Sequence, residues 1–194
     1  GVAIWNMQVN EQGSILWKGC YPGRSGSFAM DGKETSDGGM IMIGQSYSIP
    51  GDPAYHGGYD VLVVKTDSHA NITWERLLGG SGDDFGDNIL ALPGGGYLAV
   101  GYTNSNNGDV SGNHGFYDAW LFRLDASGNL LWQKCLGGSL HDEGREIFTT
   151  PDGNFAVMGY TNSNDGDVTG NHGSFDYWWE LAGPSGNLLA QKCF

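Results

Sequence analysis

The sequence predicts an all-β protein built from four-stranded antiparallel units. One pattern of segments recurs every 57 or 58 residues along the whole chain. No stretch carries helical periodicity, because Gly or Asn interrupts each one. Glycine supplies 34 of the 194 residues while aromatics reach 12%, so the chain folds, and does so through many tight turns.

The elements follow in order. The N-terminus gives a leading pair of strands around Trp5 and Trp17. Each later unit then supplies four. The first is read at 87–92 and 145–150, and the second at 40–46, 97–103 and 155–161. The third lies at 118–124, where Trp5, Leu62, Trp120 and Trp178 hold one position. The fourth lies at 130–136, where Trp17, Trp74, Trp132 and Ala190 are equivalent. Pro151-Asp-Gly-Asn154 and Leu92-Pro-Gly-Gly-Gly96 turn the first strand into the second. Asp125-Ala-Ser-Gly-Asn129 turns the third into the fourth, with Gly supplying a positive φ.

The register divides one repeat domain, 1–194, into a partial unit 1–24 and units at about 25–82, 83–140 and 141–194. Four antiparallel strands per repeat resemble a β-propeller blade, which is usually ~40–50 residues long. The surplus falls in the loop between second and third strands. The count is about three and a half blades, a partial ring belonging to a longer polypeptide. An open β-solenoid or stacked array is the alternative.

Composition removes several functions. The net charge is −13, from 9 Lys+Arg against 22 Asp+Glu, which disfavours nucleic acid and anionic membrane as partners. No apolar run exceeds four residues, so no membrane span or secretory signal is present in this stretch. Three Cys do not make a disulfide framework. Cys20, Cys135 and Cys193 share one strand position with Leu77, which marks a small apolar packing site. There is no Gly-x-Ser-x-Gly, phosphate loop, His-Glu-x-x-His or Cys-x-x-Cys. Acids and bases occur once per unit, whereas an active site is singular, so the chain reads as a non-enzyme.

The polar loops hold the remaining candidates. Thr103-Asn-Ser-Asn-Asn-Gly-Asp-Val-Ser-Gly-Asn-His114 returns as Thr161-Asn-Ser-Asn-Asp-Gly-Asp-Val-Thr-Gly-Asn-His172. Such Asp/Asn/Gly loops suit Ca²⁺, a hard cation that takes 6–8 oxygens. The candidate ligands are Asn104, Asn106 and Asp109, and Asn162, Asn164 and Asp167. The competing reading is that these side chains fasten their own loops. His56, His114 and His172 repeat once per unit, which favours loop hydrogen bonding over a shared zinc; His114 and His172 are also ligand-contact candidates. Asp60, Asp118 and Asp176 start each third strand and read as latches between blades. His141-Asp-Glu143 occurs in one unit alone. Trp179 neighbours Trp178, so strand alternation sends it to the opposite face and makes it the best exposed aromatic contact.

Gly-Tyr-Thr-Asn-Ser-Asn-(Asn/Asp)-Gly-Asp-Val-(Ser/Thr)-Gly-Asn-His-Gly, then Asp-x-Trp and Leu-Asp-x-x-Gly-Asn-Leu-x-Trp-Gln-Lys-Cys-Leu-Gly-Gly-Ser, resembles the repeats of large secreted Bacteroidota proteins. Many of those carry a C-terminal type IX secretion sorting domain. The resemblance covers the whole chain and is strongest over 95–181; residues 1–35 depart from it, with Tyr21-Pro-Gly-Arg in place of Leu-Gly-Gly-Ser. It implies a propeller-like scaffold that is secreted or held at the cell surface. The expected function is a non-catalytic module for adhesion or for glycan or protein binding. The rival expectation is a fragment of a secreted, carbohydrate-active propeller enzyme whose catalytic residues lie elsewhere.

Overall fold

The computed structural model describes residues 4–21, 26–47 and 56–194, and within them the chain is all β, with no helix. A leading hairpin pairs β1 (Ile4–Val9) with β2 (Ile15–Tyr21). The first sheet is β3 (Phe28–Glu34), β4 (Met40–Tyr47), β5 (Tyr59–Thr66) and β6 (Ile72–Leu78). The second is β7 (Asp84–Ala91), β8 (Tyr97–Thr103), β9 (Asp118–Leu124) and β10 (Leu130–Leu136). The third is β11 (Asp142–Thr149), β12 (Phe155–Thr161), β13 (Asp176–Ala182) and β14 (Leu188–Cys193). Each sheet is an antiparallel meander in chain order, as the sequence leads one to expect. The loop positions 48–55, Asp52 among them, lie outside the described residues, as do the Pro-Gly-Arg positions 22–24.

The first strand of a sheet begins three residues earlier than its apolar pattern suggests. Asp84 and Asp142 pair in register with Thr103 and Thr161, and a bulge at Asp87 and Arg145 separates that start from the rest of the strand. The same bulge falls at Met30 in the first sheet. It explains a glycine the sequence repeats without apparent cause. At Gly44, Gly101 and Gly159 an added Cβ would sit 1.8, 1.8 and 1.7 Å from the carbonyl oxygens of Phe28, Phe85 and Glu143. The bulged strand crosses so closely that only a hydrogen fits.

The sheets stack face to face, with β7 against β3, β4 and β5, and β11 against β7, β8 and β9. Between first and second sheets, Ile41, Ile43, Val61, Val63 and Leu78 meet Ile89, Ala99, Trp120 and Phe122. Between second and third, Leu98, Val100 and Leu121 meet Ile147, Phe155 and Val157, while Ala119 and Leu136 meet Trp178 and Cys193. Burying each large apolar side chain contributes ~1.5–3 kcal/mol. The two middle strands of the second sheet are therefore buried on both faces, so β8 and β9 read as nearly continuous apolar runs and not as alternation. Cys135 and Cys193 are buried free thiols in these cores, in keeping with a packing role.

Candidate functional site at the loop rim

The antiparallel order brings the long loops and the sheet-to-sheet connections to one rim. There the repeated Asn and Asp side chains bind main-chain amides. Asn104 Oδ1 accepts from Asp83 N at 2.7 Å, Asn107 Oδ1 from Ser81 N at 2.8 Å, and Asp109 Oδ2 from Gly79 N at 3.2 Å. One repeat on, Asn162 accepts from His141 N, Asp165 from Ser139 N and Asp167 from Gly137 N. Asn106 and Asn164 instead close their own loops, accepting from Gly112 N and Gly170 N. Of the calcium candidates, Asn104, Asp109, Asn162 and Asp167 thus spend oxygens on the connection to the neighbouring sheet, and Asn106 and Asn164 on their own loops. Among the described residues no cluster of three or more His, Cys, Asp or Glu is arranged to hold a metal.

The histidines pair with the strand-start aspartates of their own loops. His114 Nδ1 lies 2.6 Å from Asp118 Oδ2, and His172 Nδ1 lies 2.7 Å from Asp176 Oδ2. Each histidine N–H donates to the same oxygen. His56 approaches Asp60 at 3.4 Å. These aspartates close the loop first, and also face the next repeat: a Cβ added at Gly137 would lie 3.1 Å from Asp118 Cγ and 2.7 Å from Asp142 Oδ2.

Behind the loops is a second, buried acid per junction. Asp84 accepts from Gly80 N at 2.7 Å, from Ser105 Oγ at 2.9 Å and from the Thr103 hydroxyl. Asp142 has the same set: Gly138 N, Ser163 Oγ and Thr161 Oγ1. Burial pushes the Asp84 carboxyl up to about 6 against the pull of those donors. Asp118 is likewise pushed up to about 6 by burial, against the pull of His114.

One part of the rim breaks the repeat. Where the second sheet opens Asp83-Asp-Phe-Gly-Asp87, the third opens His141-Asp-Glu-Gly-Arg145. His141 Nε2 lies 2.6 Å from Glu143 Oε1, and Arg145 bridges Glu143 Oε2 at 2.5 Å and Asp87 Oδ1 at 3.0 Å. Burial pushes Asp87 up to about 6, with Arg145 opposing it. The Arg145 guanidinium also stands 4.9 Å over the Tyr102 ring.

Aromatic rings extend this cluster over all three sheets. Tyr47 meets Tyr59 at 5.2 Å, Tyr59 meets Phe85 at 5.5 Å, and Phe85 stacks on Tyr102 at 4.7 Å. Tyr117 lies 5.6 Å from Tyr102 and 4.8 Å from both Phe116 and His141, and Phe175 edges onto His141 at 5.6 Å. Phe116 and Phe175 are more than half exposed. Exposed aromatic faces can stack on a flat ring, and beside them Glu143, Arg145 and His141 form a fixed polar set.

Sequence reading singled out His141 and Glu143 but not the aromatics. Their signal is positional. Tyr59, Tyr117 and Phe175 all precede or open a third strand, and Phe85 and Tyr102 are direct cross-strand partners. Trp179, the sequence's aromatic candidate, is not in this strip. It lies on the outer face of the third sheet, in a groove with Met158, Tyr177, Lys192 and Phe194.

The chain matches no protein-family model and no curated protein sequence.

Proposed function

We propose that this protein is a non-catalytic, propeller-like binding module whose loop rim holds a glycan. The carrying observation is the Tyr102–Tyr117–His141 cluster with exposed Phe116 and Phe175, set beside Glu143 and Arg145 where the rim of the third repeat diverges from that of the second. Aromatic faces cover the apolar side of a sugar ring, and the ionic groups take its hydroxyls. The repeated parts of the rim account for themselves as loop fastenings, which leaves the divergent part for recognition. The first strands of neighbouring sheets touch at equivalent positions, as at Asp87 and Arg145, which supports an arc of blades about an axis. In keeping with the resemblance of the sequence, we place the module outside the cell.

A glycan array with the 194-residue chain tests this. Binding is expected, and Phe116→Ala with Phe175→Ala should abolish it while the melting temperature stays put. Binding that survives both substitutions, or none on a broad array, removes the proposal.

A further inference from the structure

The outer face of the third sheet is apolar and open, and the same positions in the other two sheets are covered. In the first sheet Ile43, Val61, Val63 and Leu78 are buried beneath the second. In the second sheet Val100, Ala119, Leu121 and Leu136 are buried beneath the third. In the third sheet these places belong to Met158, Tyr177, Trp179 and Phe194. Tyr177 is 66% exposed and Phe194 62%. With Lys192 they line a groove of about 540 Å³. Exposed apolar patches of this kind mark interaction surfaces.

We propose that this face docks a further four-stranded sheet of the same repeat. Three observations choose that occupant. The covering sheet is supplied in both existing junctions by the next segment of chain, after a connection of only residues 79–83 or 137–141. Phe194 stands where Leu78 and Leu136 stand, and its N–H still donates to Tyr177 O at 3.0 Å, so the strand is in register for that connection. The junction residues are half assembled as well. Asp60 and Asp118 have fully buried side chains facing a glycine and an aspartate of the next repeat, while Asp176 lacks that cover and the His172 beside it is 68% exposed, against 41% for His114. A sugar is a poorer fit, because Lys192 is the one charged group in the groove. The inference is independent of what the rim binds.

The test lengthens the chain after Phe194 with a second copy of residues 79–136, which keeps the register. Hydroxyl-radical footprinting then reads Met158, Tyr177 and Trp179 in both chains. Most of the labelling should be lost in the lengthened chain, and the added repeat should resist protease. The substitutions Tyr177→Ala and Trp179→Leu recreate the Ala119 and Leu121 surface, and serve if the native rings do not fit the copied sheet; Met158 and Phe194 are then the readout. Full labelling of the face in both lengthened chains overturns the proposal. So does a concentration-dependent dimer of the 194-residue chain that protects these residues and is broken by Trp179→Asp, since the occupant is then a second copy.

Discussion

Arg145 Nη1 lies 3.0 Å from Asp87 Oδ1, and the two residues hold the same bulge position in successive repeats. A bulge leaves one residue outside the ladder and re-aims its side chain. Here the two re-aimed side chains meet across the sheet-to-sheet boundary. The neighbouring position does the same by another route: Asn88 Nδ2 donates to Asp31 Oδ2 at 2.9 Å, and Ile147 N donates to Asn88 Oδ1. Equivalent residues thus join repeat to repeat along the first strands.

Arg145→Leu should therefore destabilise the fold. It leaves the nearly buried Asp87 without its cation. Breaking a buried pair costs ~3–5 kcal/mol, and the partial exposure of Arg145 reduces this to about 1–3. Asp87→Asn in the same chain should restore most of the loss. Because the Asp87 carboxyl titrates at about 6, the coupling measured by urea melts should shrink from pH 8 to pH 5. A cycle that shows no coupling at pH 8 contradicts the contact.

Trp120 and Trp178 are fully buried, and Trp120 Nε1 donates to Gln133 Oε1 at 3.0 Å. Trp120→Ala is expected to cost ~3–5 kcal/mol, a large share of a domain's total. Trp179→Ala should cost far less, because that ring lies in an open groove. Denaturant melts of the two variants give the comparison, and the reverse order would exchange the two faces of the third sheet.

Gly101 and Gly153 are both repeat glycines with different reasons. Gly153 sits in a turn at φ 81° with open space around its Cα. Gly153→Ala should cost ~1–2 kcal/mol, the strain of a left-handed backbone. Gly101 is strand, but its added Cβ would meet the Phe85 carbonyl, which is backbone and cannot turn aside. Gly101→Ala should leave no cooperative melt at 25 °C. Equal losses at the two sites would show that the bulge in β7 relaxes.

Strand order, strand count and turn chemistry were legible because each depends on local pattern. Asp125-Ala-Ser-Gly-Asn129 forms the expected turn, with Gly128 N donating to Asp125 O and φ positive at Gly128. Trp178 and Trp179 divide between two faces by alternation alone. The start of β7 was not legible, since its bulge breaks the apolar period at Asp87. Nor was the rim site, whose aromatics come from strand ends in three repeats and become neighbours only through stacking of the sheets. The position of Glu180 gave no warning either: its equivalent Phe122 predicts an apolar residue, and the chain places a carboxyl there.

Glu180 leads to the last expectation. Its side chain is fully buried on β13, and neither oxygen has a hydrogen-bond partner. Burial, then the charges of Asp167, Asp142 and Asp118, hold its pKa well above the ordinary carboxylate range. The folded state therefore keeps a proton that the unfolded chain releases above 4.5. Stability must fall as pH rises from the unfolded value to the folded one, and it levels off beyond that. Asp84, Asp87 and Asp118 act in the same direction between 3.8 and about 6. The protein should accordingly melt at a higher temperature at pH 5 than at pH 8. Glu180→Gln keeps the shape and removes the ionisation, so it should raise the melting temperature at pH 8 and leave it nearly unchanged at pH 4. Were Glu180→Gln destabilising at pH 8, the carboxylate would have to be ionised and paired in the folded protein, and the sign of its contribution would reverse.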